Sequence, residues 1–125
     1  MGISFTDREL DVMSVLWDIG SGTVADVRGR LRDPLAYTTV LTVLRILEQK
    51  GYVGHTDEGR THRYRPLVKR DVAIRSALRR LADKVFDGSS ELLLTHLVSD
   101  KKNLTAQELR RLSRLLKDRL RELES

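Results

Sequence analysis

The sequence predicts a mainly α chain carrying one small β-hairpin, and three observations lead there. Apolar residues recur at helical spacing in six separate stretches. The period changes to alternation only between Tyr52 and Leu67, around the turn-forming run Asp57-Glu58-Gly59-Arg60. Capping boxes at Thr6–Glu9 and Thr105–Glu108 mark where helices begin.

Taken in order, the first helix follows the Thr6 cap, with Phe5 and Leu10 set as its hydrophobic staple. Leu10, Met13, Leu16 and Trp17 form its inward face, and Gly20 stops it. A short second helix starts after Thr23, turns Val24, Val27 and Leu31 inward, and is closed by Pro34. The third runs from about Tyr37 to Lys50 and ends at Gly51, with Tyr37, Val40, Leu41, Leu44 and Leu47 on its apolar face. Trp17, Tyr37 and Tyr64 are expected to fill the core.

Two strands follow, Tyr52 to Thr56 and Thr61 to Leu67, with Pro66 implying an edge or a strand end. A four-residue loop would pair Thr56 with Thr61, His55 with His62 and Val53 with Tyr64. Alternation then sends Val53 and Tyr64 toward the body, and Arg63 and Arg65 to the opposite face. Three helices and then a hairpin is the order of a winged helix-turn-helix.

Three more helices come after it. The first runs from about Arg70 to Phe86 with Val72, Leu78, Leu81, Ala82 and Val85 inward. A short one after Ser89 holds Leu92, Leu93, Leu94, Leu97 and Val98. The last opens at the Thr105 cap, stapled by Leu104 and Leu109, and carries Leu109, Leu112, Leu116, Leu120 and Leu123 on one stripe. The expected division is residues 1–68 as the winged helix and 69–125 as a helical C-terminal region.

Composition narrows the function classes. The chain has 125 residues, 23 Lys+Arg against 18 Asp+Glu, and no cysteine. That removes disulfide frameworks, thiolate metal sites and cysteine nucleophiles. No run is long and apolar enough for a membrane span, so a cytoplasmic protein without a membrane partner is expected. No glycine-rich phosphate loop, nucleophile elbow or HExxH motif is present, which argues against an enzyme, and no cofactor is expected. The net charge of +5 hints at nucleic acid, but it is unevenly placed. Residues 1–67 balance nine basic with nine acidic side chains, and residues 68–125 carry the whole excess.

The pattern of residues locates the reading head elsewhere than the charge does. On the third helix Thr38, Thr42, Arg45 and Gln49 form one continuous face opposite the apolar one, with Thr39 beside its start. Threonines are poor helix formers, so helix propensity does not account for three of them near one helix start. Short side chains admit a helix deep into a major groove, where their methyls meet thymine methyls and their hydroxyls meet base edges. Arg45 suits guanine or a phosphate, and Gln49 suits adenine or the backbone. In the wing, Arg60, Arg63 and Arg65 make a basic edge for phosphates, while Asp57 and Glu58 at the tip would be repelled by DNA. Contact by the strand arginines, without deep insertion of the tip, is therefore expected. The run Lys69, Arg70, Arg75, Arg79, Arg80 and Lys84 is a solvated helix face whose early members could reach DNA flanks.

The last three helices hold more leucine than a short appendage can bury. Leu92, Leu93 and Leu94 cannot all face one small core, and the stripe Leu109, Leu112, Leu116 and Leu120 outruns the helix before it. A homodimer built on this region, with Leu97 also at its interface, follows. The alternative is that these leucines cap the winged helix within one chain. His55 and His62, if opposite, could hold two corners of a metal site, but no Cys or further His supplies a third ligand, so no metal site is expected. His96 is expected to pack at the interface.

Three stretches together resemble the penicillinase repressors of the BlaI/MecI family: FTDRELDVMSVLW (Phe5–Trp17), AYTTVLTVLRILEQKGYV (Ala36–Val53) and GRTHRYRPL (Gly59–Leu67). The likeness runs to about Leu120. The resemblance implies a homodimeric bacterial repressor, with an N-terminal winged helix and a C-terminal three-helix dimerisation region. It implies a double-stranded operator that is pseudo-palindromic and built on TACA/TGTA, and control of β-lactam resistance or related genes. It places Thr38, Thr39, Thr42 and Arg45 where the family's recognition helix meets DNA. Two departures stand out. The C-terminal cysteine cluster of the family's copper-responsive members is missing. The Asn-Phe bond cut by a sensor protease in antibiotic-responsive members aligns with His96-Leu97. Two other readings stay open, a winged-helix protein-interaction module that binds no DNA and a repressor answering a ligand or metal through His55 and His62.

Overall fold

The computed structural model describes residues 3–125. It contains α1 (Asp7–Ile19), α2 (Val24–Arg30), α3 (Tyr37–Gln49), β1 (Val53–Glu58), β2 (Thr61–Pro66), α4 (Arg70–Val85), α5 (Ser90–Ser99) and α6 (Ala106–Glu124). Two compact units divide the chain, one ending at Leu78 and the other running Arg79–Ser125. No helix among the described residues is long and apolar enough to cross a membrane.

Local chemistry sets the helix starts. Thr6, Thr23 and Thr105 each accept a hydrogen bond from the backbone N–H three residues on, and Glu9, Asp26 and Glu108 accept from the cap's own N–H in return. Gly20 ends α1 at φ 84° and Gly51 follows α3 at φ 83°, conformations that cost other residues a Cβ clash. α2 stops at Arg30, earlier than Pro34 requires. Leu31 is already extended, and the Arg28 guanidinium donates to the Leu35 carbonyl at 2.9 Å, holding the turn into α3.

The core of the first unit is Val12, Met13, Val15 and Leu16 from α1, Val24 and Val27 from α2, and Val40, Val43, Leu44 and Leu47 from α3, closed by Val53 and Tyr64 of the hairpin. Tyr37 departs from expectation: it is 45% exposed at the first turn of α3, where no core surface faces it. Trp17 is half-buried, donating its indole N–H to the Val68 carbonyl at 2.8 Å and stacking on Phe5 edge to face. Glu9 is the one charged residue buried among those described, at 3% exposure. Lys50, at the end of α3, reaches it with Nζ 2.8 Å from the carboxylate. Burial alone would raise the Glu9 pKa, but the Lys50 ammonium and the Thr6 donors outweigh it and hold the carboxyl below its ordinary range.

The hairpin register differs from the expected one by two residues. Glu58 pairs with Thr61, Asp57 with His62, His55 with Tyr64 and Val53 with Pro66. The cause is Gly59, whose φ of +65° lets a two-residue turn close in place of the expected four-residue loop. A shift of two preserves the faces, so Val53 and Tyr64 are buried as expected. The hairpin has a further anchor. Gly22 and Tyr64 exchange backbone hydrogen bonds of 2.9 and 2.8 Å, bridging the α1–α2 junction to the middle of β2. A Cβ on Gly22 would lie 2.8 Å from Ile19 Cδ1 and 3.2 Å from Asp26 Cβ, so a larger residue there would have to displace the Ile19 side chain.

In the second unit Ser89 caps α5, its Oγ accepting the Leu92 N–H at 3.1 Å. No residue of α5 or α6 is buried. On α4, Leu78, Leu81 and Val85 are exposed and not inward as expected, as is Val72, and only Ala82 of the expected set is buried. The apolar stripes of these helices therefore have no core of their own to enter.

Candidate nucleic-acid interface

The proposed reading face is built by α3. Its buried side is filled by Val40, Val43, Leu44 and Leu47, which fixes the rotation of the helix. Thr38, Thr42, Arg45 and Gln49 line the other side, with Thr39 beside its start, and the Thr42 hydroxyl donates to the Thr38 carbonyl at 2.9 Å. Its donor is thus engaged inside the helix, and the residue presents a methyl group and acceptor lone pairs outward. Such a surface favours a thymine methyl or a base-edge amine over a base-edge carbonyl.

The wing arginines are not equivalent. Arg63 donates through Nε to Glu58 at 2.6 Å, lies 3.8 Å from Asp26, and reaches Ser21 Oγ at 3.5 Å. The bond to Glu58 and its charge raise the Arg63 pKa further, with Asp26 adding to the effect. Much of its charge is already answered within the protein. Arg60 and Arg65 are exposed, and neither forms a salt bridge among the described residues. Glu58 thus faces Arg63 across the hairpin as an internal counter-ion, a pairing invisible until the register is known. Arg70, at the start of α4, is also engaged: it meets Asp18 at 2.9 Å and lies over the Trp17 ring at 5.5 Å.

On the opposite face of the hairpin, His55, Asp57 and His62 come together. The two imidazole centroids are 4.2 Å apart, although the residues are diagonal neighbours and not a direct pair. One ligand-type atom from each of the three lies within 4.8 Å of the others. Asp57 thus stands beside the two histidines as a third ligand-type side chain, of a kind other than the Cys and His weighed from the sequence. Glu48, from the last turn of α3, meets His55 Nδ1 at 2.5 Å.

The dimerisation residues named from the sequence lie on α5 and α6. Leu92, Leu97, Leu109, Leu116 and Leu120 are exposed, and none of the set, Leu93 and Leu112 included, is buried. His96 and Leu97 are both exposed on α5, the His96 ring 5.3 Å from Phe86.

Comparison with known proteins brings these features under one description. The family model described as penicillinase repressor matches residues 5–118. The transcriptional regulator BlaI of Mycobacterium tuberculosis is 38% identical over 96 residues, covering 74% of this chain and 70% of the relative. The solution structure of the DNA binding domain of the repressor BlaI matches with 30% identity and a TM-score of 0.51, over 58% of this chain and 93% of that one. The oxidized form of MarR from E. coli, 24% identical, shares the fold over 94% of this chain and 76% of its own, with a TM-score of 0.50.

Proposed function

Because the chain belongs to the penicillinase repressor family, a family of transcriptional regulators rather than enzymes, we propose that it represses transcription as a homodimer on a pseudo-palindromic operator. The observation that carries this reading is the division of labour between the two units. A helix with one side locked into the core offers a continuous polar face of Thr38, Thr39, Thr42, Arg45 and Gln49. The other unit offers leucine stripes with nothing of their own to bury them.

In this mechanism each protomer lays α3 in a major groove, and the two-fold axis spaces the helices about one turn of duplex apart. Arg60 and Arg65 neutralise flanking phosphates, with Arg63 secondary because Glu58 already holds it. Linking two heads makes the second contact nearly intramolecular, so dimerisation multiplies affinity without a new protein–DNA contact. The operator on this reading is TACA/TGTA-like, the controlled genes are those of β-lactam resistance or related functions, and occupancy blocks polymerase. Release would act on the helical unit, through a sensor protease or another signal that separates the leucine faces. With His96-Leu97 in place of Asn-Phe, a protease selective for the latter bond would leave α5 uncut.

Selection of the full chain against a random-sequence duplex library tests the proposal directly. Enrichment of a palindrome with half-sites one turn apart is the expected result. No enrichment at low salt would instead favour a winged-helix interaction module.

A further inference from the structure

The face of the wing turned away from Arg63 and Arg65 carries chemistry that groove recognition does not use. His55, Asp57 and His62 sit on one side of a two-stranded ribbon, close enough for a single ion to touch all three. We propose that these residues form a site for a divalent first-row transition ion of the zinc type, and that its occupancy strengthens DNA binding by the wing.

Ligand chemistry and geometry agree. Two imidazoles and one carboxylate, with a position left for water, is an established donor set for such ions. Ligands about 2.1 Å from a tetrahedral ion stand about 3.4 Å from one another. Here Asp57 Oδ1 is 2.8 Å from His62 Nδ1 and 3.9 Å from His55 Nε2, distances that bracket that spacing. The ion would sit between His62 Nδ1 and Asp57 Oδ1, which are already in contact. Glu48 completes the arrangement from α3. Its carboxylate accepts from His55 Nδ1–H, which fixes the tautomer and leaves the Nε2 lone pair facing Asp57. Glu48 is thus a positioning residue, and it joins the site to the helix proposed to read DNA. Asp57 is 79% exposed and His62 48%, as an exchangeable ion requires.

The coupling to DNA rests on the repressor reading above. Asp57 and Glu58 put negative charge at the wing tip, and Arg63 already answers Glu58. A dication at Asp57 would turn that corner of the tip from −1 to +1, replacing a charge that repels the duplex with one that does not.

The experiment begins without DNA. Chelator-stripped full-length protein is titrated with zinc sulfate by calorimetry, and with cobalt(II) to read tetrahedral visible absorption. One equivalent per chain is expected. Asp57→Asn and His62→Ala should each weaken binding by at least about tenfold, Glu48→Gln by about 10–100-fold, and His96→Ala should leave it unchanged. Far-UV circular dichroism checks that the exposed-site variants stay folded. Absence of zinc binding, or binding that survives His62→Ala, overturns the site. A gel shift on duplex DNA with and without zinc then tests the coupling, with strengthening of about three- to tenfold at low salt expected from removing the Asp57 repulsion at the tip. Equal affinity in both conditions overturns the coupling. A chain that binds no DNA in either condition defeats the repressor reading instead, while the DNA-free titration still decides the site.

Discussion

Replacing Leu116 and Leu120 together by alanine should separate the two protomers of the proposed homodimer. These side chains are 59% and 54% exposed on α6, so more than half of each is free to enter the proposed interface. Fully burying a leucine is worth roughly 1.5–3 kcal/mol, and burying the exposed part of one is worth roughly 1 kcal/mol. Two-fold symmetry counts each substitution twice, so the double variant loses about 4 kcal/mol of association free energy, or about a thousandfold in the dimer Kd. Sedimentation velocity across a concentration series measures it directly. Helicity at high protein concentration, from circular dichroism, separates loss of the dimer from loss of the helix. Operator affinity should fall with the dimer although α3 is untouched. A double variant whose dimer Kd stays within about threefold of the parent, or a parent that sediments as a monomer well above micromolar concentration, would refute the reasoning.

The remaining expectations concern the reading head and its support. Arg65→Ala should flatten the log–log salt dependence of DNA binding by ~1 for each phosphate it no longer neutralises, and Arg63→Ala by clearly less, because Glu58 already neutralises Arg63; equal slopes would count against the distinction. Thr42→Ala should relax base preference at one operator position by about 1–3 kcal/mol of discrimination, read by competition among operator variants; full retention of preference would remove Thr42 from the groove face. Lys50→Met should destabilise the fold by about 1–2 kcal/mol in urea denaturation, since the buried Glu9 keeps only its Thr6 donors. The folded-state pKa of Glu9 lies below its ordinary 4.5, so its contribution is fully present above that value and is lost as pH falls through the folded pKa. Acid denaturation should accordingly be less steep in Glu9→Gln below pH ~4.5 than in the parent.

What was legible in the sequence was local. The caps at Thr6 and Thr105 and the stops at Gly20 and Gly51 depend on residues within one turn, and each is found where its motif stands. Pairings that span the chain were not legible. Lys50 meets Glu9 across 41 positions, and nothing in either neighbourhood announces it. Gly22 joins Tyr64 although it belongs to no strand of its own. The hairpin register turned on whether Gly59 would take a positive φ, a choice composition permits but does not force. That choice hid two features at once, the Glu58–Arg63 pair and the place of Asp57 beside the histidines. Tyr37 follows the helical period of the core side chains yet stands outside, because the period continues past the point where α3 has anything to pack on. The leucines of the second unit were legible as apolar stripes, but the length of a stripe does not say whether its cover comes from the same chain.

The bridge between Gly22 and Tyr64 bears on how the wing meets a duplex. Tyr64 is held by its backbone to the α1–α2 junction and by its ring in the core, so β2 is pinned at its centre. Only the stretch from Thr56 to Arg63 extends past that pin, closed by a two-residue turn. Most of the ordering entropy of the ribbon is therefore lost when the chain folds, before any DNA is present. A wing fixed in advance selects among duplexes by their shape, since it has little freedom to adapt to a poor groove. Mismatched sites should then be rejected mainly by fast dissociation, with encounter rates nearly the same for good and bad sequences.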